Sequence, residues 1–185
     1  GGGVGDGSRP ERGGLIQDAS GTLYGVTTFG GQSDVGTLFA VNGDGTGFKV
    51  LHHFEVSPGA QNPTGRLALD RSGNLYGTTF HGGTSGGSGS GTVYTVKTDG
   101  MGFAILHSFG GGAVDPGAGL LLGPGGNLYG TTMGGSSSFG TVFTLKTDGS
   151  GFQILHSFVR PEGEYPDSEV VKVSRDAPGG CCSRR

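Results

Sequence analysis

Short apolar runs, five to seven residues long, are set apart by clusters of Gly, Asp, Ser and Asn along most of the chain. In one stretch they are Arg66–Asp70, Leu75–Thr79, Thr92–Lys97 and Phe103–Phe109. They are rich in Val, Leu, Phe, Tyr and Thr, and that length and composition predict strands. No stretch holds a helical period over ten residues. The alternation also says how the strands are covered. Thr92, Tyr94 and Val96 share one face of the third strand, while Val93, Thr95 and Lys97 share the other. In the fourth, Phe103, Ile105, His107 and Phe109 oppose Ala104, Leu106 and Ser108. Both faces carry apolar residues, so each small sheet should be packed on both sides. The chain reads as all-β.

The same pattern recurs. Leu-Tyr-Gly stands at 23–25, 75–77 and 128–130, spaced 52 and 53 residues apart. Gly-Thr-(Leu/Val)-(Phe/Tyr) begins at Gly36, Gly91 and Gly140, and 15 residues after each glycine comes Leu-His-(His/Ser)-Phe, at Leu51, Leu106 and Leu155. That invariant spacing marks a rigid unit. The stretch between the Leu-Tyr-Gly glycine and the Gly-Thr glycine varies, at 11, 14 and 10 residues, and takes the insertions. Asp44-Gly45, Asp99-Gly100 and Asp148-Gly149 sit where the third strand turns into the fourth, in keeping with a tight hairpin. Four-stranded sheets repeating at about 50 residues describe propeller blades.

We therefore expect a β-propeller-like array of about three and a half repeats of roughly 52 residues, a partial propeller. The divisions are a linker over 1–13, repeats over 14–65, 66–118 and 119–168, and the start of a fourth with a divergent tail over 169–185. Propellers close with about four to eight blades. The expectation is a fragment of a longer array, or two copies associating through their open end blades.

Composition sharpens this picture. The 185 residues include 44 glycines and 8 prolines, a share typical of low-complexity chains when aperiodic. Here many of the glycines fall at matched sites, so they punctuate strands. A net charge of -3 with scattered Lys and Arg gives no footprint for nucleic acid. No apolar run is long enough to span a membrane as a helix. Cys181 and Cys182 are adjacent and set neither a compartment nor a metal site.

Several side chains suggest chemistry that repeat geometry also explains. His52, His107 and His156 recur identically and could converge on a metal, but a residue present in every repeat serves the repeat. We expect each to hydrogen-bond a Thr or backbone group, with no metal bound. Tyr24, Tyr76 and Tyr129 are assigned to blade or hairpin packing rather than to stacking on sugars. Asp44, Asp99 and Asp148 lack the several carboxylates of a calcium loop. The glycine-rich 82–91 lacks a phosphate-binding context, and no nucleophilic triad is legible. His53 and His81 do not repeat and are expected at the surface. The off-pattern acids Glu55, Glu162 and Glu164 have no consistent partner. Contact with a ligand is assigned to the variable loops 29–35, 80–90 and 133–139, through Gln32, Asp34, Phe80, His81, Thr84, Ser136 and Phe139. No cofactor is expected.

The phrases Gly-Thr-Val-Phe/Tyr, Asp-Gly-x-Gly-Phe, Leu-His-Ser-Phe and Asn-Leu-Tyr-Gly-Thr-Thr, with a Pro-containing linker, resemble the GloVer tandem repeat of Gloeobacter and Verrucomicrobia proteins. They run from about Leu15 to Phe158. A weaker likeness, through Asp-x-x-Gly-Asn-Leu-Tyr, is to NHL and sensor-type propellers. The GloVer resemblance implies a propeller-like repeat in bacterial proteins exported to the cell surface, with no established activity. The resulting expectation is a non-catalytic binding or structural module meeting a surface glycan or protein. The alternative is a fragment of a polysaccharide lyase or hydrolase whose catalytic blades lie elsewhere.

Overall fold

The computed structural model describes residues 7–10, 13–56, 59–84, 90–135, 139–160, 165–166 and 170–171. The chain runs β1 (Gly7–Ser8), β2 (Ile16–Gln17), β3 (Thr22–Thr27), β4 (Phe29–Gly30), β5 (Thr37–Asn42) and β6 (Lys49–His53) through the first repeat. The second repeat is β7 (Ala60–Leu69), β8 (Asn74–Gly82), β9 (Thr92–Lys97) and β10 (Ala104–Ser108). The third is β11 (Leu121–Leu122), β12 (Asn127–Thr132), β13 (Thr141–Lys146) and β14 (Gln153–Ser157), with a 3-10 turn at Pro124–Gly126.

Three four-stranded antiparallel sheets result, ordered β2-β3-β5-β6, β7-β8-β9-β10 and β11-β12-β13-β14, and β1 pairs with β4. The architecture is all-β and propeller-like, and the array is open. The β7 strand starts at Ala60 and β8 runs on to Gly82, both longer than the pattern predicts. Asn62 and Pro63 are therefore not a free linker: Pro63 sits opposite Thr79 in the ladder.

The repeated phrases follow from packing. Each Leu-Tyr-Gly glycine lies opposite the aromatic of Gly-Thr-x-Phe/Tyr, as in Gly25 with Phe39, Gly77 with Tyr94 and Gly130 with Phe143. The ring folds back over the glycine, so a Cβ on Gly25 would fall 2.7 Å from the Phe39 ring. The Gly before each third strand has a different constraint. Gly36, Gly91 and Gly140 have φ of 111°, 90° and 118°, and a Cβ would meet a Thr carbonyl and the next repeat's proline. Only glycine fits there.

The threonines form a repeated polar core. Thr27 Oγ1 donates to Phe29 O at 2.9 Å, so it accepts from Thr37 Oγ1 at 2.9 Å. Thr79 and Thr92 meet likewise at 2.8 Å, and Thr132 and Thr141 at 2.7 Å. These hydroxyls are buried and satisfied by one another, which removes the usual cost of burying them.

Two apolar cores lie between successive sheets. One joins Leu38, Val26 and Phe54 to Leu67, Leu75, Tyr94 and Val96, and the other joins Ala68, Tyr76, Val93 and Phe109 to Leu128, Phe143 and Leu145. An inner cavity of about 380 Å3 is lined by the first strands, including Ile16, Leu67, Leu69, Leu121, Leu122 and the chain at Val170–Val171.

Candidate functional site

Two of the recurring histidines join successive repeats, and two of the recurring tyrosines brace turns within their own. His52 lies face to face with Phe103 of the next repeat, ring centres 4.0 Å apart and 11° from parallel. His107 stacks the same way on Phe152, at 3.9 Å and 13°. Each also meets the Phe two residues on edge-first, and His156 meets Phe158 so, at 5.0 Å. The expected hydrogen bond is thus replaced, for His52 and His107, by ring stacking between repeats. Burial favours the uncharged imidazole and pulls both pKa values below the ordinary histidine value.

Tyr24 and Tyr76 lock the turn between the first two strands of their sheets. The hydroxyl of Tyr24 donates to Asp18 Oδ2 at 2.9 Å, and that of Tyr76 to Asp70 Oδ2 at 2.9 Å. The other oxygen of Asp70 accepts from the backbone of Ser72 and Asn74, at 2.8 and 2.9 Å. Asp18 is treated likewise by Ser20 and Thr22. Burial and the neighbouring carboxylate push Tyr76 up to about 12. Burial alone pushes Tyr94 far above the ordinary tyrosine range, because its hydroxyl is enclosed with no partner. In the third repeat Gly123 stands where Asp would, and Tyr129 occupies that space: a Cβ on Gly123 would lie 2.6 Å from its ring. The hairpin aspartates also act locally, since Asp44, Asp99 and Asp148 each accept from the backbone amide two residues on. Among the described residues no group of three His, Cys, Asp or Glu lies close enough to hold a metal ion.

The repeats differ at one end of the array. Thr27, Thr79 and Thr132 each donate to the carbonyl two residues on, of Phe29, His81 and Gly134. Phe29, His81 and Gly134 are therefore structurally equivalent, and so are Thr28, Phe80 and Met133 before them. A third set consists of the residues preceding Pro10, Pro63, Pro116 and Pro166. Arg9, Asn62, Asp115 and Tyr165 all adopt left-handed backbone, with φ of 56°, 56°, 59° and 54°. Such a conformation costs a non-glycine residue on the order of 1 kcal/mol. It persists because the backbone there is pinned on both sides. The amides of Asn62, Asp115 and Tyr165 donate to Val35, Ser90 and Phe139, each just ahead of a third strand. The carbonyls of Arg9 and Asp115 accept from Thr28 and Met133.

This scaffold presents unlike side chains at matched positions. Between the first and second repeats they line a half-open cleft of about 310 Å3: Arg9, Thr28, Phe29, Asn62, Phe80 and His81, with Thr64 at the base. The Arg9 guanidinium lies 5.3 Å from the centre of the Phe29 ring. Asn62 Nδ2 donates to Thr28 O at 3.0 Å, joining the two repeats across the cleft floor. Phe80 and His81 meet edge to face at 4.8 Å. Asp115 belongs to the same set, and burial raises its pKa while the charge of His81 partly offsets that.

Of the residues assigned from sequence, the cleft gathers Phe80 and His81. Asp34 closes its own loop instead, accepting from the Gly30 amide at 2.9 Å, and flanks Arg9 and Phe29 from outside. Gln32 and Thr84 are not among the cleft residues. Phe139 lies apart, under Arg160 at 4.9 Å and edge-on to Tyr165. Ser136, Cys181 and Cys182 lie outside the described residues. His53 and His81, expected at the surface, are half-buried with Nδ1 enclosed, because they lie within the last residues of β6 and β8 rather than in loops. Sequence reasoning missed Arg9, Thr28 and Asn62 as cleft residues, and it reached Phe29 only as the first residue of the 29–35 loop. The signal available was the residue before each repeat proline, which changes type in every copy.

Three like sheets about an inner cavity, with unlike side chains collected at one end, define an open propeller-like repeat protein. The chain belongs to the Gloeobacter/Verrucomicrobia repeat family, whose pattern matches residues 2–184. No curated protein matches the sequence. Among solved structures the chain is similar to the crystal structure of the nidogen/laminin complex, with a TM-score of 0.63 and 19% identity. The likeness covers 84% of this chain and 50% of that one, so the chain spans about half its length. A likeness to the tricorn protease has a TM-score of 0.45 and 19% identity, covering 83% of this chain and 14% of that one, too slight to bear on the fold. No described helix is long and apolar enough to cross a membrane.

Proposed function

We propose that the chain is a non-catalytic binding module of an exported bacterial surface protein, and that it takes a glycan in the cleft between its first two repeats. The observation that carries this reading is the broken symmetry. Positions held by one backbone geometry in every repeat carry Arg9, Asn62 and Asp115, or Phe29, His81 and Gly134. Architecture alone would select the same residue in each copy, as it does for the threonine pairs. The lining suits a sugar: Phe rings offer flat apolar faces, while guanidinium, carboxamide and imidazole groups offer planar hydrogen bonding to hydroxyls. Export rests on the family resemblance.

Glycan-array binding tests the reading. The chain is expected to bind, and Phe80→Ala, His81→Ala and shortening of 80–90 are expected to abolish binding while the far-ultraviolet circular dichroism stays unchanged. Turnover of a polysaccharide that survives the loop deletion would replace this reading with the enzymatic one.

A further inference from the structure

The contacts between repeats inside the chain define what each end of the array can accept. Two of them recur. The histidine of one repeat stacks on the Phe of the next repeat's Asp-Gly-x-Gly-Phe hairpin, as His52 does on Phe103 and His107 on Phe152. The hairpin's tip glycine also rests on the fourth strand of the repeat before it. A Cβ on Gly100 would fall 2.6 Å from Leu51 O, and one on Gly149 would fall 2.8 Å from Leu106 O. The two ends of the described array show the halves of this interface. In the first repeat, Phe48 is 53% exposed and Gly45 has nothing within 4 Å of a built Cβ. In the third, β14 is exposed along its whole length, with Leu155 at 52%, whereas Leu51 and Leu106 are half-buried.

We propose that the chain associates head to tail with a second copy of itself, β14 of one copy receiving the 44–48 hairpin of the other. Phe48 of the partner subunit then stacks on His156 as Phe103 does on His52, and Gly45 of the partner subunit rests on Leu155. Val170 and Val171, which line the inner cavity beside Leu122, yield their place to the incoming first strand. The occupant is a copy of this chain because both halves are the chain's own, repeated twice within it at nearly identical geometry. The interface is heterologous: the two surfaces differ, so each copy can both donate and receive.

That asymmetry supplies the test. The mass of the chain in solution is measured by sedimentation velocity over a dilution series, for the chain itself, Phe48→Asp, His156→Asp and, as a second block on the β14 side, Leu155→Asp. All three positions are exposed, and circular dichroism confirms that each variant keeps the strand spectrum. The chain itself is expected to sediment as dimers or larger assemblies, each variant alone as a monomer. An equimolar mixture of Phe48→Asp with His156→Asp, or with Leu155→Asp, should form a capped dimer, because one intact face remains on each copy. A chain monomeric throughout the series, variants that still associate alone, or a mixture that stays monomeric would each overturn the proposal.

Discussion

Tyr94 and Tyr76 should respond oppositely to loss of a single oxygen. Tyr94 is fully buried, packed edge-on to Phe54 with ring centres 5.1 Å apart, and its hydroxyl has no partner. A hydroxyl removed from water without a compensating hydrogen bond costs about 1–3 kcal/mol in protein mutants. Phe39 and Phe143 fill the equivalent positions in the other repeats, so the cavity tolerates a ring without the oxygen. Tyr94→Phe forfeits a few dispersion contacts against Gly77, which leaves a gain of about 1–2 kcal/mol. For a chain of this length that raises the melting temperature by about 2–8 °C. Tyr76→Phe removes instead a donor to a carboxylate at 2.9 Å, where the hydrogen bond contributes about 1.5–3 kcal/mol, and the melting temperature should fall. Thermal unfolding followed by circular dichroism at pH 7 reads both. A Tyr94→Phe chain that melts at or below the parent temperature would refute the reasoning, because it would mean that the enclosed hydroxyl is satisfied after all.

Phe103→Ala should destabilise the chain by about 2 kcal/mol, below the range for a fully buried Phe because Phe103 is half-buried. By exposing the imidazole it should also move the His52 pKa back up toward the ordinary value, which an NMR titration of the ring protons reads. Asp18 and Asp70 are held below the ordinary carboxylate range. For Asp18 the Ser20 hydroxyl leads; for Asp70 burial works the other way and is outweighed by Asn74, Tyr76 and Ser72. Their folded pKa values lie below the unfolded ones, so the stability they add is complete above about pH 4 and is lost as pH falls through the folded values. Acid denaturation of Asp70→Asn should accordingly show a shallower loss than the parent as pH falls below about 4. Gly91→Ala should cost more than about 2 kcal/mol, since a Cβ at φ of 90° meets Thr79 O and Pro116, and urea denaturation measures it.

What was legible in the sequence was whatever the repeat imposes three times. Strand positions, the Asp-Gly hairpins and the matched glycines rest on local rules that act within ten or fifteen residues, so a period of about 52 exposes them. The second-strand glycine and the third-strand aromatic were also readable, as two fixed phrases, although their pairing is a matter of register. The contacts between repeats were not readable. That His52 stacks on Phe103 rather than bonding a Thr depends on how two sheets are set against each other, and the 51-residue separation carries no local mark of it. The cleft was half visible. Phe80 and His81 stood out because they sit in a variable loop. Arg9 and Asn62 did not, because a residue before proline reads as linker until the fold pins it, left-handed, between two blades. By itself the sequence determined the blade, since blade formation is a near-neighbour affair of strand, turn and glycine. Only the tertiary structure decided the site, because packing one blade on the next is what brings residues 50 or more apart to a single opening.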